Sequence, residues 1–189
     1  MSNAPETYQS GPNGMIPNSR FPLLIHRNAV PGGGEKAVRQ LFQKHGWLNN
    51  WSYPGIYTYG HFHSTTHECL GCAAGFMEIE IFGMGGTRVR VDAGDVIVMP
   101  AGVSHAMTDN SDDVLMVGGY PDGREWDNLP DDSLTPRSRY LAAKLIMSLP
   151  IPSRDPVTGG AMREWLDLPS SVDSGWNDYR DTLDSERDW

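Results

Sequence analysis

Between residues 56 and 120 apolar and polar residues alternate in short runs, each closed by Gly, Asp or Asn. The runs cover residues 56–63, 67–73, 76–82, 87–91, 95–99, 105–108 and 114–120. A period of two turns one face of a strand inward, and strands this short and evenly spaced build a sandwich or a barrel. Val89 and Val91 share one parity and Arg88 and Arg90 the other, so the arginines are expected on the outer face. Phe82-Gly83-Met84-Gly85-Gly86-Thr87 reads as a hairpin turn, its glycines supplying positive φ. It fails as a nucleotide-binding loop, because no helix follows and the G-x-G-x-x-G spacing is absent.

The flanks have a different pattern. Residues 1–20 are rich in Asn, Pro, Gly and Ser and read as a loose arm. Residues 21–26 form an apolar strand candidate, ended by Pro31 and three glycines. Residues 35–47 place Val38, Leu41, Phe42 and His45 at helical spacing. Residues 136–149 predict a second helix, with Thr135 as N-cap and Pro136 at its first position. The polar tail carries Trp165, Trp176 and Trp189, which are expected to pin an irregular segment to the domain. The expected organisation is one domain. A loose arm (1–20) precedes a barrel with its N-terminal helix (21–130, main barrel 52–121), and a helix with an acidic tail packed on the barrel follows (131–189).

Charge narrows the partners. The 189 residues hold 15 Lys and Arg against 24 Asp and Glu, a net −9. An acidic surface argues against nucleic acid and anionic membranes. The longest apolar stretches are only a few residues, so no membrane span is expected. The N-terminus has neither a basic start nor an apolar stretch, which makes the expected location cytoplasmic. Two cysteines, Cys69 and Cys72, give no disulfide framework. Three apart on a strand they face opposite sides, and no second C-x-x-C completes a zinc site, so both read as buried thiols.

The histidines carry the candidate chemistry. His61 and His63 are two apart on a predicted strand and project from one face. Together with Glu68 and His105, converging in a barrel, they would make a divalent transition-metal site. Tyr57 and Tyr59 share the parity of these histidines and are expected to face the interior, with Tyr120 and Trp126 near the barrel mouth as further pocket candidates. His67 should point away from the four donors on a regular strand and make hydrogen bonds instead. His67 and Tyr59 are the catalytic candidates outside the donor set.

The surrounding residues complete two motifs. Gly55, five residues, His61-Phe62-His63, four residues, Glu68, six residues and Gly75 form the first. Gly94, five residues, Pro100-Ala101-Gly102, two residues and His105 form the second, with Asp109 where an Asn is expected and Asn110 beside it. The sequence resembles the cupin superfamily. That resemblance implies a mainly all-β jelly-roll barrel with a few flanking α-helices, and His61, His63, Glu68 and His105 as ligands of Fe, Mn, Ni, Co or Zn. It also implies a small-molecule ligand and a homodimer. Residues 61–71, 100–105 and 119–123, with Asp155-Pro156-Val157, Gly159 and Trp165, are similar to a narrower family of small single-domain cupins, over roughly residues 20–166. The expected function is a metal-dependent enzyme on a small organic substrate, by oxygenase-type chemistry ahead of isomerase, lyase or decarboxylase action. The alternative is a cupin that binds a metabolite or metal without turnover, as a store or sensor.

Overall fold

The alternating runs pair into two antiparallel sheets that face each other across a shared core. The structure, a computed structural model, describes residues 4–168. The larger sheet takes β1 (Glu6–Tyr8), β2 (Leu23–His26), β3 (Trp47–Tyr53), β5 (Glu68–Ala74), β8 (Val96–Met99) and β10 (Leu115–Pro121), in the order β1-β2-β8-β5-β10-β3. The smaller takes β4 (His61–Phe62), β6 (Phe76–Ile81), β7 (Thr87–Asp92), β9 (His105–Asn110) and β11 (Leu129–Pro130), in the order β11-β4-β9-β6-β7. With both motifs seated on these sheets, the fold is a cupin jelly roll. No helix among the described residues is long and apolar enough to cross a membrane.

Strand parity explains the layers. Leu70 and Cys72 of β5, Ile97 and Met99 of β8, and Met77, Ile79 and Ile81 of β6 fill the space between the sheets. The alternate residues Cys69, Ala73, Val96 and Val98 point out of the back of the larger sheet. There they meet Val38 and Phe42 of α1 (Glu35–Lys44), one turn apart on its buried face, together with Trp165 of α3 (Arg163–Leu166). The two thiols therefore lie on opposite faces, both buried. On β6 and β7, Glu78 pairs with Arg90 and Glu80 with Arg88 on the outer face, while Val89 and Val91 go inward. The hairpin between them turns through Gly83 and Gly85, both at positive φ. Helix α2 (Pro136–Ser148) starts as the sequence predicts. The Thr135 hydroxyl accepts from the Ser138 N–H, and Ala142 and Ile146 pack on Phe62.

Several expectations need correction. Residues 4–20 are not a loose arm. Glu6–Tyr8 pairs with β2, and Asn18 and Ser19 are buried beneath the chain. An edge strand of polar residues has no apolar face to reveal it. The strand expected over 56–63 shrinks to His61–Phe62, leaving Tyr57 and Tyr59 in the preceding loop. The expected helix over 35–47 stops at Lys44, and Trp47 opens a strand instead. Trp165 is buried, stacks on Phe21 at 4.9 Å and donates its indole N–H to the Pro22 carbonyl, so it does anchor its segment. Trp176 and Trp189, with the tail beyond 168, lie outside the described residues.

Candidate metal centre

Three imidazoles meet at one end of the barrel because their strands do. His61 of β4 is the register partner of His105 of β9, and their rings lie 4.2 Å apart. His63 follows β4 directly, its ring 5.6 Å from each of the other two. One potential donor atom from each histidine lies within 4.8 Å of the others. Glu68, the first residue of β5, points Oε2 at this trio, 3.4 Å from His63 Nε2 and 3.7 Å from His105 Nε2. All four side chains are buried.

Hydrogen bonds behind the rings fix which nitrogen faces inward. His61 Nδ1 lies 3.1 Å from the Tyr59 carbonyl, His105 Nδ1 lies 2.9 Å from the Val103 carbonyl, and His63 Nδ1 meets the Asp127 carbonyl. A carbonyl only accepts, so each Nδ1 carries the proton and each Nε2 is left as a lone pair facing the centre. Burial lowers the pKa of His61 and lowers that of His105 well below the ordinary value, which keeps both rings neutral. At His63 burial acts the same way, but the Glu68 carboxylate and the Asp127 carbonyl outweigh it and the pKa is raised. Two donors each about 2.1 Å from one cation stand roughly 3–3.5 Å apart. The Glu68–His63 and Glu68–His105 gaps, too long for strong hydrogen bonds, therefore suit an ion with little closing.

The carboxylate is held from behind as well. The Tyr120 hydroxyl donates to Glu68 Oε1 at 2.8 Å and accepts from the Trp51 indole N–H at 2.9 Å. Trp51 reaches it by lying flat over Gly118, where any Cβ would enter the indole ring. Outward from the four side chains opens a cavity of about 830 Å³.

No family model matches the chain. The uncharacterised protein YjlB of Bacillus subtilis (strain 168) is 34% identical over 160 residues, covering 84% of this chain and 93% of that protein. The chain belongs to the YjlB family. Among solved structures, acireductone dioxygenase from Bacillus anthracis, with a cadmium ion in its active center, is similar at 17% identity and a TM-score of 0.39, over 55% of this chain and 80% of that one. A deletion mutant of oxalate decarboxylase OxdC from Bacillus subtilis is similar at 17% identity and a TM-score of 0.35, over 96% of this chain and 38% of that one.

In this YjlB-family chain the sequence-derived site residues separate into two groups. His61, His63, Glu68 and His105 come together, and Tyr57, Tyr59, Tyr120 and Trp126 line the same cavity. Tyr57 and Tyr59 reach it from a loop and not by strand parity. They stack on each other at 5.0 Å and reach over His61. His67 is not brought to the site. It precedes Glu68, so it leaves the opposite side of the strand and packs 4.8 Å from Trp165. Its Nδ1 accepts the Ala101 N–H, and burial pushes its pKa down to about 4. A neutral ring held this way lies on the opposite side of β5 from the four donors.

Asp127 was not foreseen. Its carboxylate accepts from the backbone and hydroxyl groups of Ser64 and Thr65, while its carbonyl holds His63. Burial opposes its ionisation, but these donors outweigh burial and lower its pKa. The clamp sets the neighbouring Trp126 ring 5.5 Å from His63. The sequence signal was the run of hydroxyl residues Ser64-Thr65-Thr66 directly after His63.

Proposed function

We propose that the chain is a metal-dependent enzyme acting on a small organic substrate, with His61, His63, Glu68 and His105 holding one divalent transition metal at the floor of the cavity. The observation that carries this reading is the convergence of three Nε2 lone pairs and one carboxylate oxygen at the closed end of an open pocket. Neutral imidazole with one carboxylate suits Fe, Mn, Ni or Co, and Zn also binds such a set on affinity grounds. Bound there, such an ion supplies Lewis acidity and, where redox-active, electron transfer with O₂.

The chain's own residues hold and orient. Three backbone carbonyls fix the imidazole tautomers, and Tyr120 fixes the carboxylate. Among the described residues the cavity lining contains no lysine, arginine or aspartate beside Glu68, and His67 packs against Trp165 on the other side of β5. Little remains to relay protons except phenol groups such as Tyr59. This favours oxygenase-type chemistry over isomerase, lyase or decarboxylase action, in which a positioned acid or base moves a substrate proton. Binding of a metabolite or metal without turnover is the second reading, favoured by the same shortage of acid–base groups.

Elemental analysis of protein purified without added metal, wild type beside His61→Ala, tests the assignment. Near-stoichiometric iron, manganese or nickel in the wild type and its loss in the variant are expected. Wild type without metal even after reconstitution overturns the metal reading. Tyr120→Phe probes the support behind Glu68. It is expected to weaken metal binding about tenfold in a competition titration, the lower end of what second-layer hydrogen bonds contribute. Unchanged affinity would show that Glu68 holds its position without the phenol.

A further inference from the structure

The walls of the cavity carry a chemical preference of their own. Above the floor the lining holds two aromatic pairs. Tyr57 and Tyr59 stack with their planes 25° apart, and Trp126 lies 21° from the plane of Tyr120. Tyr57, Tyr59 and Trp126 remain 44%, 43% and 37% exposed. Large rings clustered in a concavity and left open to water mark a surface shaped for a partner molecule, and flat guests stack against such faces.

The lining also excludes a class of guest. Among the described residues that line it, Glu68 is the single carboxylate and none is a lysine or arginine, and the other polar groups are amides, hydroxyls and imidazoles. A phosphate, or a carboxylate remote from the floor, would lose hydration there with no cation to receive it. Around a divalent ion the one carboxylate leaves a net charge of +1, which a single oxygen anion at the floor would neutralise. A volume of about 830 Å³ accommodates more than a single ring.

Resting on the metal-enzyme reading above, we propose that the substrate is a flat aromatic molecule, uncharged except for the phenolic or enolic oxygens it turns toward the four donors. Tyr57, Tyr59 and Trp126 act as its specificity-determining walls. Sugar phosphates and small aliphatic dicarboxylates are outside this class.

Calorimetric titration of the metal-reconstituted full chain with three probes tests this, with metal content measured on the same samples. Catechol and naphthalene-2,3-diol present the same pair of oxygens on different ring areas, and malonate presents oxygens without a ring. The expected order is naphthalenediol tighter than catechol, and catechol tighter than malonate, by about tenfold at each step. Tyr57→Ala combined with Trp126→Ala should collapse the difference between the two diols, leaving metal content and malonate binding unchanged. Both residues are partly exposed wall residues, and unchanged metal content shows that the floor is intact. Full metal occupancy with malonate binding as tightly as the diols overturns the substrate class while leaving the metal reading standing. Failure to take up metal overturns the metal reading, and the same titrations then judge the walls alone. A retained preference for the larger ring supports the aromatic class, and no preference overturns it.

Discussion

Glu68→Gln is expected to weaken divalent metal binding by on the order of a hundredfold or more while leaving the metal-free fold at least as stable. The amide keeps the shape of the carboxylate and can still accept the Tyr120 hydroxyl through its oxygen. What it removes is the carboxylate charge at the floor. By Coulomb's law a unit charge in contact with a divalent ion contributes about 4 kcal/mol even at the dielectric constant of water, and a loss of roughly 3 kcal/mol is a hundredfold in affinity. Without metal, Oε2 faces the inward nitrogens of His63 and His105, and only a proton shared with His63 relieves the crowding of lone pairs. An amide N–H₂ in its place donates to those nitrogens. A variant that loses the ion and keeps or gains melting temperature has the trade expected of a functional group. Wild-type affinity in Glu68→Gln would remove Glu68 from the proposed donor set.

His61 and His63 were legible from their spacing on one strand face, whereas Glu68 and His105 joined them through the resemblance of two glycine- and proline-spaced motifs to the cupins. His61 and His63 flank Phe62 with period-two spacing, and glycines and a proline close the strands that carry Glu68 and His105. The opposite orientation of His67 followed from the same parity. What parity could not reach is whatever a loop contributes. Trp47 to Tyr53 hides as a strand because Asn49 and Asn50 interrupt its alternation, and Asn49 sits at positive φ. Its Trp51 matters only because Gly118, far along the chain, leaves room for the indole. Asp127 lies in the loop after β10, and its role depends on that loop returning to Ser64, 63 residues earlier. Long-range returns of this kind leave no local periodicity.

The largest stability effect is expected at Asp155, away from the cavity. Asp155 is 2% exposed, and its Oδ2 accepts from His26 Nε2 at 3.1 Å, while Oδ1 accepts from the N–H groups of Val157 and Thr158. One carboxylate thus shapes the turn after residue 155 and ties it to β2 on the larger sheet. The same segment gives the Arg154 carbonyl to the Trp47 indole and the Pro156 carbonyl to His45. Asp155→Ala strands a buried imidazole N–H and two backbone donors, at a cost of about 3 kcal/mol or more. For a chain of this length that corresponds to a fall of roughly 6–12 °C in melting temperature. Burial opposes ionisation of Asp155, but His26 and the two backbone donors outweigh it and hold its pKa below the usual carboxylate range. A depressed native pKa means that the contribution is complete above about pH 4, the unfolded value, and is lost as pH falls through the native one. The gap between wild type and Asp155→Ala should therefore be widest near neutral pH and narrow progressively below pH 4, as read by thermal melts across that range. A gap that is absent at neutral pH, or constant down to low pH, would mean that the ionised carboxylate is not what ties this segment to the sheet.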